Sequence, residues 1–135
     1  MLKIRKGLLD KIQELADKMH PIETCGIIAG PVGFPVAERI ITMRNAACSE
    51  HYFQFDAKEQ LNVWRQLEQR DEECRVIYHS HTDSIPYPSA EDIQFAIDPE
   101  VHYIIVATQP STDADIRSFR IIAGKVTEES ITVID

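Results

Sequence analysis

Amphipathic helical stretches alternate with short β-rich runs through the first two-thirds of the chain, and strands alone follow. That order predicts an α/β domain with a mixed sheet that is not purely parallel. A chain of 135 residues that is 44% hydrophobic supports one domain with a genuine core, expected to span residues 1–135. There is no internal repeat, low-complexity segment or linker.

Over residues 5–19, Leu8, Leu9, Ile12, Leu15, Ala16 and Met19 recur at helical spacing, and His20-Pro21 ends the helix. Cys25 to Gly30 is an apolar run of strand length closed by the turn-forming Gly30-Pro31-Val32-Gly33. Val36–Met43 and Tyr52–Phe55 are rich in β-formers and are expected to be strands. A second helix is expected from Ala57 to Glu68, with Asp56 as N-cap and Leu61, Trp64 and Leu67 on its core face. Arg75–His79 reads as a strand, Thr82–Pro88 as a loop and Ser89–Ile97 as a short helix. Strands are expected again at His102–Thr108, Ile116–Ile122 and Ser130–Ile134, with a turn at Ala123-Gly124.

The bulk numbers exclude several classes. A net charge of −8 repels a phosphate backbone, and no basic stripe offsets it, so no nucleic-acid partner is expected. No apolar run approaches the roughly 20 residues of a membrane span, so no membrane partner is expected either. The basic residues of Met1–Gly7 lead into no apolar signal region, which gives a cytoplasmic expectation. Cys25, Cys48 and Cys74 have no metal-clip spacing and are expected to be reduced and mostly buried thiols.

Five residues carry chemistry. His79 and His81 lie two apart on a strand, so both imidazoles project from one face toward a common ion. Asp92 supplies a third ligand if the helix starting near Ser89 packs over the strand end. Two imidazoles and one carboxylate suit zinc with a fourth position left open. Ser89 is a candidate oxyanion donor, although Ser89-Ala90-Glu91-Asp92 equally fits a helix capping box. Glu23 is the candidate general base. No organic cofactor site is expected. Ser80, between the two histidines, faces the other way and is expected to be structural. His102 is expected to be a satisfied core histidine and Trp64 a core residue.

Glu23, His79-Ser80-His81, seven residues, Ser89, two residues and Asp92 resemble the JAMM (MPN+) metalloprotease motif, with every position filled. Ala29–Pro31, Glu59–Arg65, Val76–His81, Tyr87–Ser89, His102–Val106 and Arg117–Ile121 extend the resemblance, over nearly the whole chain, to the small bacterial Mec-type peptidases. The resemblance implies a cytidine-deaminase-like JAMM/MPN domain with a curved mixed sheet flanked by helices. It also implies zinc on His79, His81 and Asp92, with Glu23 and Ser89 catalytic. The implied partner is a small ubiquitin-like sulfur-carrier protein ending in Gly-Gly, from which cysteine or another sulfur-bearing amino acid is released. Alternatives are a non-catalytic module that binds a ubiquitin-like protein, an isopeptidase acting on lysine conjugates, and a zinc peptidase of small or cell-wall peptides.

Overall fold

A computed structural model describes residues 1–108 and 115–135. Among the described residues, two sheets and three helices follow the order β1 (Leu2–Arg5), α1 (Leu8–Met19), β2 (Cys25–Pro31), β3 (Arg39–Met43), α2 (Ala57–Gln69), β4 (Glu72–His81), α3 (Ala90–Phe95), β5 (His102–Ala107), β6 (Ile116–Ile122), β7 (Lys125–Glu129) and β8 (Ile131–Ile134). The main sheet has strand order β3-β2-β4-β5-β6-β7. Within it β4 and β5 run parallel and all other neighbours are antiparallel, so the mixed-sheet expectation holds. β1 and β8 form a separate parallel pair, linked to the rest through a bridge between Ile4 and Ala37.

Strand alternation divides the core between the two faces of the main sheet. Ile28, Val76, Tyr78, Ile104 and Val106 pack with Ile12 and Ala16 of α1 and with Leu2 and Ile4. On the opposite face Ile27 and Ala29 meet Val63 and Leu67 of α2. Tyr103, Ile105, Phe119 and Ile121 form a neighbouring cluster, with Ile93 and Ala96 of the α3 segment against it. Gly26 is required where Tyr78 crosses β2: a Cβ there would lie 2.3 Å from the phenol oxygen and 2.6 Å from the Ile41 carbonyl. The Asp56 cap is present, accepting from the Glu59 N–H at 3.0 Å.

Several expectations need correction. Tyr52–Phe55 is no strand; only Phe55 bridges, to Asn45, and Phe53 is used elsewhere. The strand expected from Val36 begins at Arg39. The first helix starts at Leu8 because residues 2–5 are committed to β1. Leu61 is 51% exposed, and Val63 takes the buried position expected of it; Trp64 packs on the core edge, only partly buried. β7 was not anticipated. Of the three thiols only Cys25 is buried, while Cys48 is exposed and Cys74 intermediate.

Candidate metal centre and active site

β4 ends at the site. His79 and His81 share the face that carries Ile77 and is covered by α2 and α3, while Ser80 faces the other side. The β2–β4 register pairs Cys25 with His79, and beyond it Ser80 N–H donates to the Thr24 carbonyl at 3.0 Å. Continuing that register puts Glu23 opposite His81 on the histidine face. The loop after β4 then turns the chain into α3, whose first turn delivers Asp92.

The three expected ligands converge. His79 Nε2 and His81 Nε2 lie 3.1 Å apart, and Asp92 Oδ2 lies 3.1 Å from the first and 3.0 Å from the second. These spacings are close to the edge of about 3.3 Å of a tetrahedron with 2.0–2.1 Å bonds. The three residues form the one such group found among the described residues.

Hydrogen bonding tests whether a cation fits. His81 Nδ1 lies 2.9 Å from the Ile85 carbonyl, which can only accept, so Nδ1 carries a proton. In the neutral ring, Nε2 is then a bare lone pair facing a carboxylate oxygen and a second imidazole nitrogen. His79 Nδ1 is buried with no partner; where His79 Nε2 offers its lone pair as well, three electron-rich atoms within about 3 Å repel one another unless a cation or extra protons lie between them. The site fits a small divalent metal.

Electrostatics divide the two imidazoles. Burial pushes the His79 imidazole down, toward the neutral form that ligates. For His81 burial acts downward too, but Asp92 and the Ile85 carbonyl outweigh it and the net shift is upward. Burial alone would raise Asp92; the facing His79 and His81 rings and the Ser89 N–H, which donates to it, reverse this and hold it well below the carboxylate range. Phe53 stacks on His79 with ring centroids 4.5 Å apart, walling that imidazole from solvent.

Glu23 is 3% exposed, and its Oε1 is buried without a hydrogen-bond partner. Burial raises its carboxyl from 4.5 to about 8, against a lowering influence of His81 and a raising one of Asp92. A buried carboxyl with so displaced a pKa, on the same sheet face as the His79, His81 and Asp92 group, is a candidate general base and acid.

Ser89 forms the complete capping box: its Oγ accepts from the Asp92 N–H at 3.1 Å, and its own N–H donates to Asp92 Oδ2 at 2.8 Å. Ser89 itself is exposed, so its hydroxyl hydrogen remains able to reach a ligand. Ser80 is structural as expected, its Oγ accepting from the Thr24 N–H at 2.8 Å. His102 is satisfied by Glu129 Oε2 at 2.6 Å, away from the metal group. Sequence reasoning missed Phe53, assigned to a strand, and Asn45, for which no local pattern exists.

Residues 5–122 match the prokaryotic homologues of the JAB domain. The chain is 43% identical over 135 residues to the CysO-cysteine peptidase of Mycobacterium tuberculosis, covering 100% of this chain and 92% of that one. It is 28% identical over 102 residues to a desampylase of Haloferax volcanii, covering 75% and 73%. Among solved structures, the solution structure of a protein from Desulfitobacterium hafniense superposes with a TM-score of 0.83 at 27% identity, covering 100% of this chain and 94% of the other. The matched span, the full-length relative and the shared fold agree with the motif: this chain belongs to the JAB/MPN family in its prokaryotic branch.

Proposed function

We propose that this JAMM-type hydrolase is a zinc peptidase that cuts the amide bond after the C-terminal Gly-Gly of a small ubiquitin-like sulfur-carrier protein, releasing cysteine or another sulfur-bearing amino acid. The observation that carries this reading is the convergence of His79, His81 and Asp92 within about 3 Å of one another, with the buried carboxyl of Glu23 on the same sheet face. The CysO-cysteine peptidase relative supports the carrier and the leaving amino acid. In this reading residues 1–135 act as one domain. Among the described residues no helix is long and apolar enough to cross a membrane; a cytoplasmic location is part of this reading.

Zinc on the three ligands would supply Lewis acidity toward the carbonyl and the attacking water. Glu23 takes a proton from the water and hands it to the leaving amine, acting as general base and then general acid. Ser89 donates its hydroxyl hydrogen to the oxyanion developing on the scissile carbonyl while its oxygen keeps accepting from Asp92 N–H. Glycines before the cut let the substrate backbone come close to the cleft. The tail is held by main-chain hydrogen bonds, and the carrier body docks outside the cleft.

The test is mass-spectrometric. A carrier ending Gly-Gly-Cys is compared with a matched short peptide, with and without chelator. The conjugate should lose cysteine in a chelator-sensitive way, the short peptide should turn over poorly, and Gly→Ala before the cut should slow the conjugate strongly. Equal cleavage of conjugate and peptide, or chelator-insensitive cleavage, would overturn the reading.

A further inference from the structure

Glu23 lies before β2, where the regular pairing with β4 has not yet begun, since the ladder starts at Cys25. Its backbone is held by other means. Glu23 N–H donates to the Ser49 carbonyl at 3.0 Å. The Glu23 carbonyl accepts from Asn45 Nδ2 at 3.1 Å, and the Thr24 N–H donates to Ser80 Oγ at 2.8 Å. That carbonyl and that N–H are the two polar ends of one rigid peptide plane. Two buried side chains from different parts of the chain therefore grip the plane after Glu23 at both ends. With the Ser49 contact fixing the plane before it, the direction of the Glu23 Cα–Cβ bond has little freedom left.

Asn45 is fully used. Its Nδ2 also donates to the Tyr52 carbonyl at 3.1 Å, and its Oδ1 accepts from the N–H groups of Ala47 at 3.0 Å and Gln54 at 3.2 Å. Two donors and two acceptors are all satisfied, so the network leaves one orientation for the amide. The same residue thereby closes the loop that carries Phe53 against His79 and ties it to the backbone of Glu23. A second tether joins this loop to the end of β4, the Thr82 hydroxyl donating to the Glu50 carbonyl at 2.9 Å.

We propose that Asn45 is a positioning residue for the hydrolysis: through the Glu23–Thr24 peptide plane, with Ser80 as its counterpart, it aims the Glu23 carboxyl into the cleft. This rests on Glu23 carrying the proton. Errors of about 1 Å in placing a reacting group cost on the order of 100-fold in rate, so a grip on this plane matters more to turnover than to the loop itself.

Asn45→Asp separates the two roles. It keeps the acceptor for Ala47 and Gln54, but sets an oxygen against the carbonyls of Glu23 and Tyr52. The experiment uses the zinc-loaded full chain and the Gly-Gly-Cys conjugate, with the change made in the native background and in Glu23→Gln. In the native background kcat should fall about 10- to 100-fold, with KM within about twofold and the zinc content unchanged. In Glu23→Gln, measured at high enzyme concentration, Asn45→Asp should add no further loss, because its effect passes through the carboxylate that is gone.

Unchanged kcat in the native background, loss of zinc, or an equal further loss in Glu23→Gln would each overturn the proposal. A Glu23→Gln protein with native turnover would overturn the proton-carrier reading itself, so the two failures are told apart. Should Asn45→Asp fail to fold, Ser80→Ala and Ser80→Thr carry the test from the other end of the plane. Loss with Ala and retention with Thr is the expected pair, and equal activity of the two overturns the proposal.

Discussion

Replacing Glu23 by Gln should make the metal-free protein more stable while removing its activity, with a pH signature of its own. The carboxyl is buried, its Oε1 lacks a partner, and burial raises it from 4.5 to about 8. The unfolded chain therefore ionises this group well before the folded chain does. Between those two values the folded state binds the extra proton, so stability falls as pH rises from about 4.5 to about 8 and levels off above. At 1.36 kcal/mol per pH unit the whole displacement is worth at most about 5 kcal/mol. Relaxation and water entry reduce such penalties, leaving on the order of 2 kcal/mol at pH 8. Gln is neutral throughout and lacks this slope.

The assay is urea unfolding of chelated native and Glu23→Gln proteins at several pH values from 5 to 8.5. The histidines and Asp92 are present in both proteins, so the difference between the two curves reports Glu23 together with its coupling to His81. It should be small at pH 5 and grow to favour Gln at pH 8. Parallel pH dependences, or a Gln variant less stable at pH 8, would refute the account of an uncompensated buried carboxyl.

Other expectations follow from the same geometry. Ser89→Ala should lower turnover about 10²- to 10³-fold if the hydroxyl is an oxyanion donor, together with about 1 kcal/mol of stability from the lost cap. Paired turnover and melting curves decide, and a melting change with native turnover would leave Ser89 as a cap alone. Alanine at His79, His81 or Asp92 should each sharply lower zinc retained after dialysis against a weak chelator, since the proposed site has only three protein ligands; full retention in all three variants would refute the ligand set. Burial would raise Glu129, but His102 and Ser118 outweigh it and hold the carboxyl near 2 instead of 4.5. Its stabilising contribution, on the order of 2 kcal/mol, is present above pH 4.5 and should be lost as pH falls toward 2. Glu129→Gln should flatten that acid limb in urea titrations, and an unchanged limb would refute it.

The candidate constellation was legible because most of it is local. His79, His81, Ser89 and Asp92 fall within fourteen residues, and strand alternation fixes the facing of His79, Ser80 and His81. The helix cap at Asp56 and the buried strand His102–Ala107 were likewise written in short patterns. What remained hidden depends on distant partners. β1 has only four residues and owes its strand form to β8, at the other end of the chain. β7, Lys-Val-Thr-Glu-Glu, has little β-propensity of its own and is a strand because β6 pairs with it. Tyr52–Phe55 shows the reverse: its β-formers suggest a strand, yet Phe53 is spent on the imidazole of His79. Asn45 carries no signature because its hydrogen bonds gather groups from Glu23 to Gln54.

Asp92 Oδ2 both faces the two imidazoles and accepts the N–H that opens α3, a helix of six residues with none fully buried. So short a helix is far below the length that persists by itself. Whatever neutralises that oxygen therefore also holds the first turn together, and the two equilibria are reciprocal: ordering the turn tightens the ion, and the ion orders the turn. On the proposed reading, part of the free energy of ion capture would go into winding this segment. An ion bound there would be held more weakly than by a rigid cage of the same three donors, and amide exchange along residues 89–95 would report its occupancy.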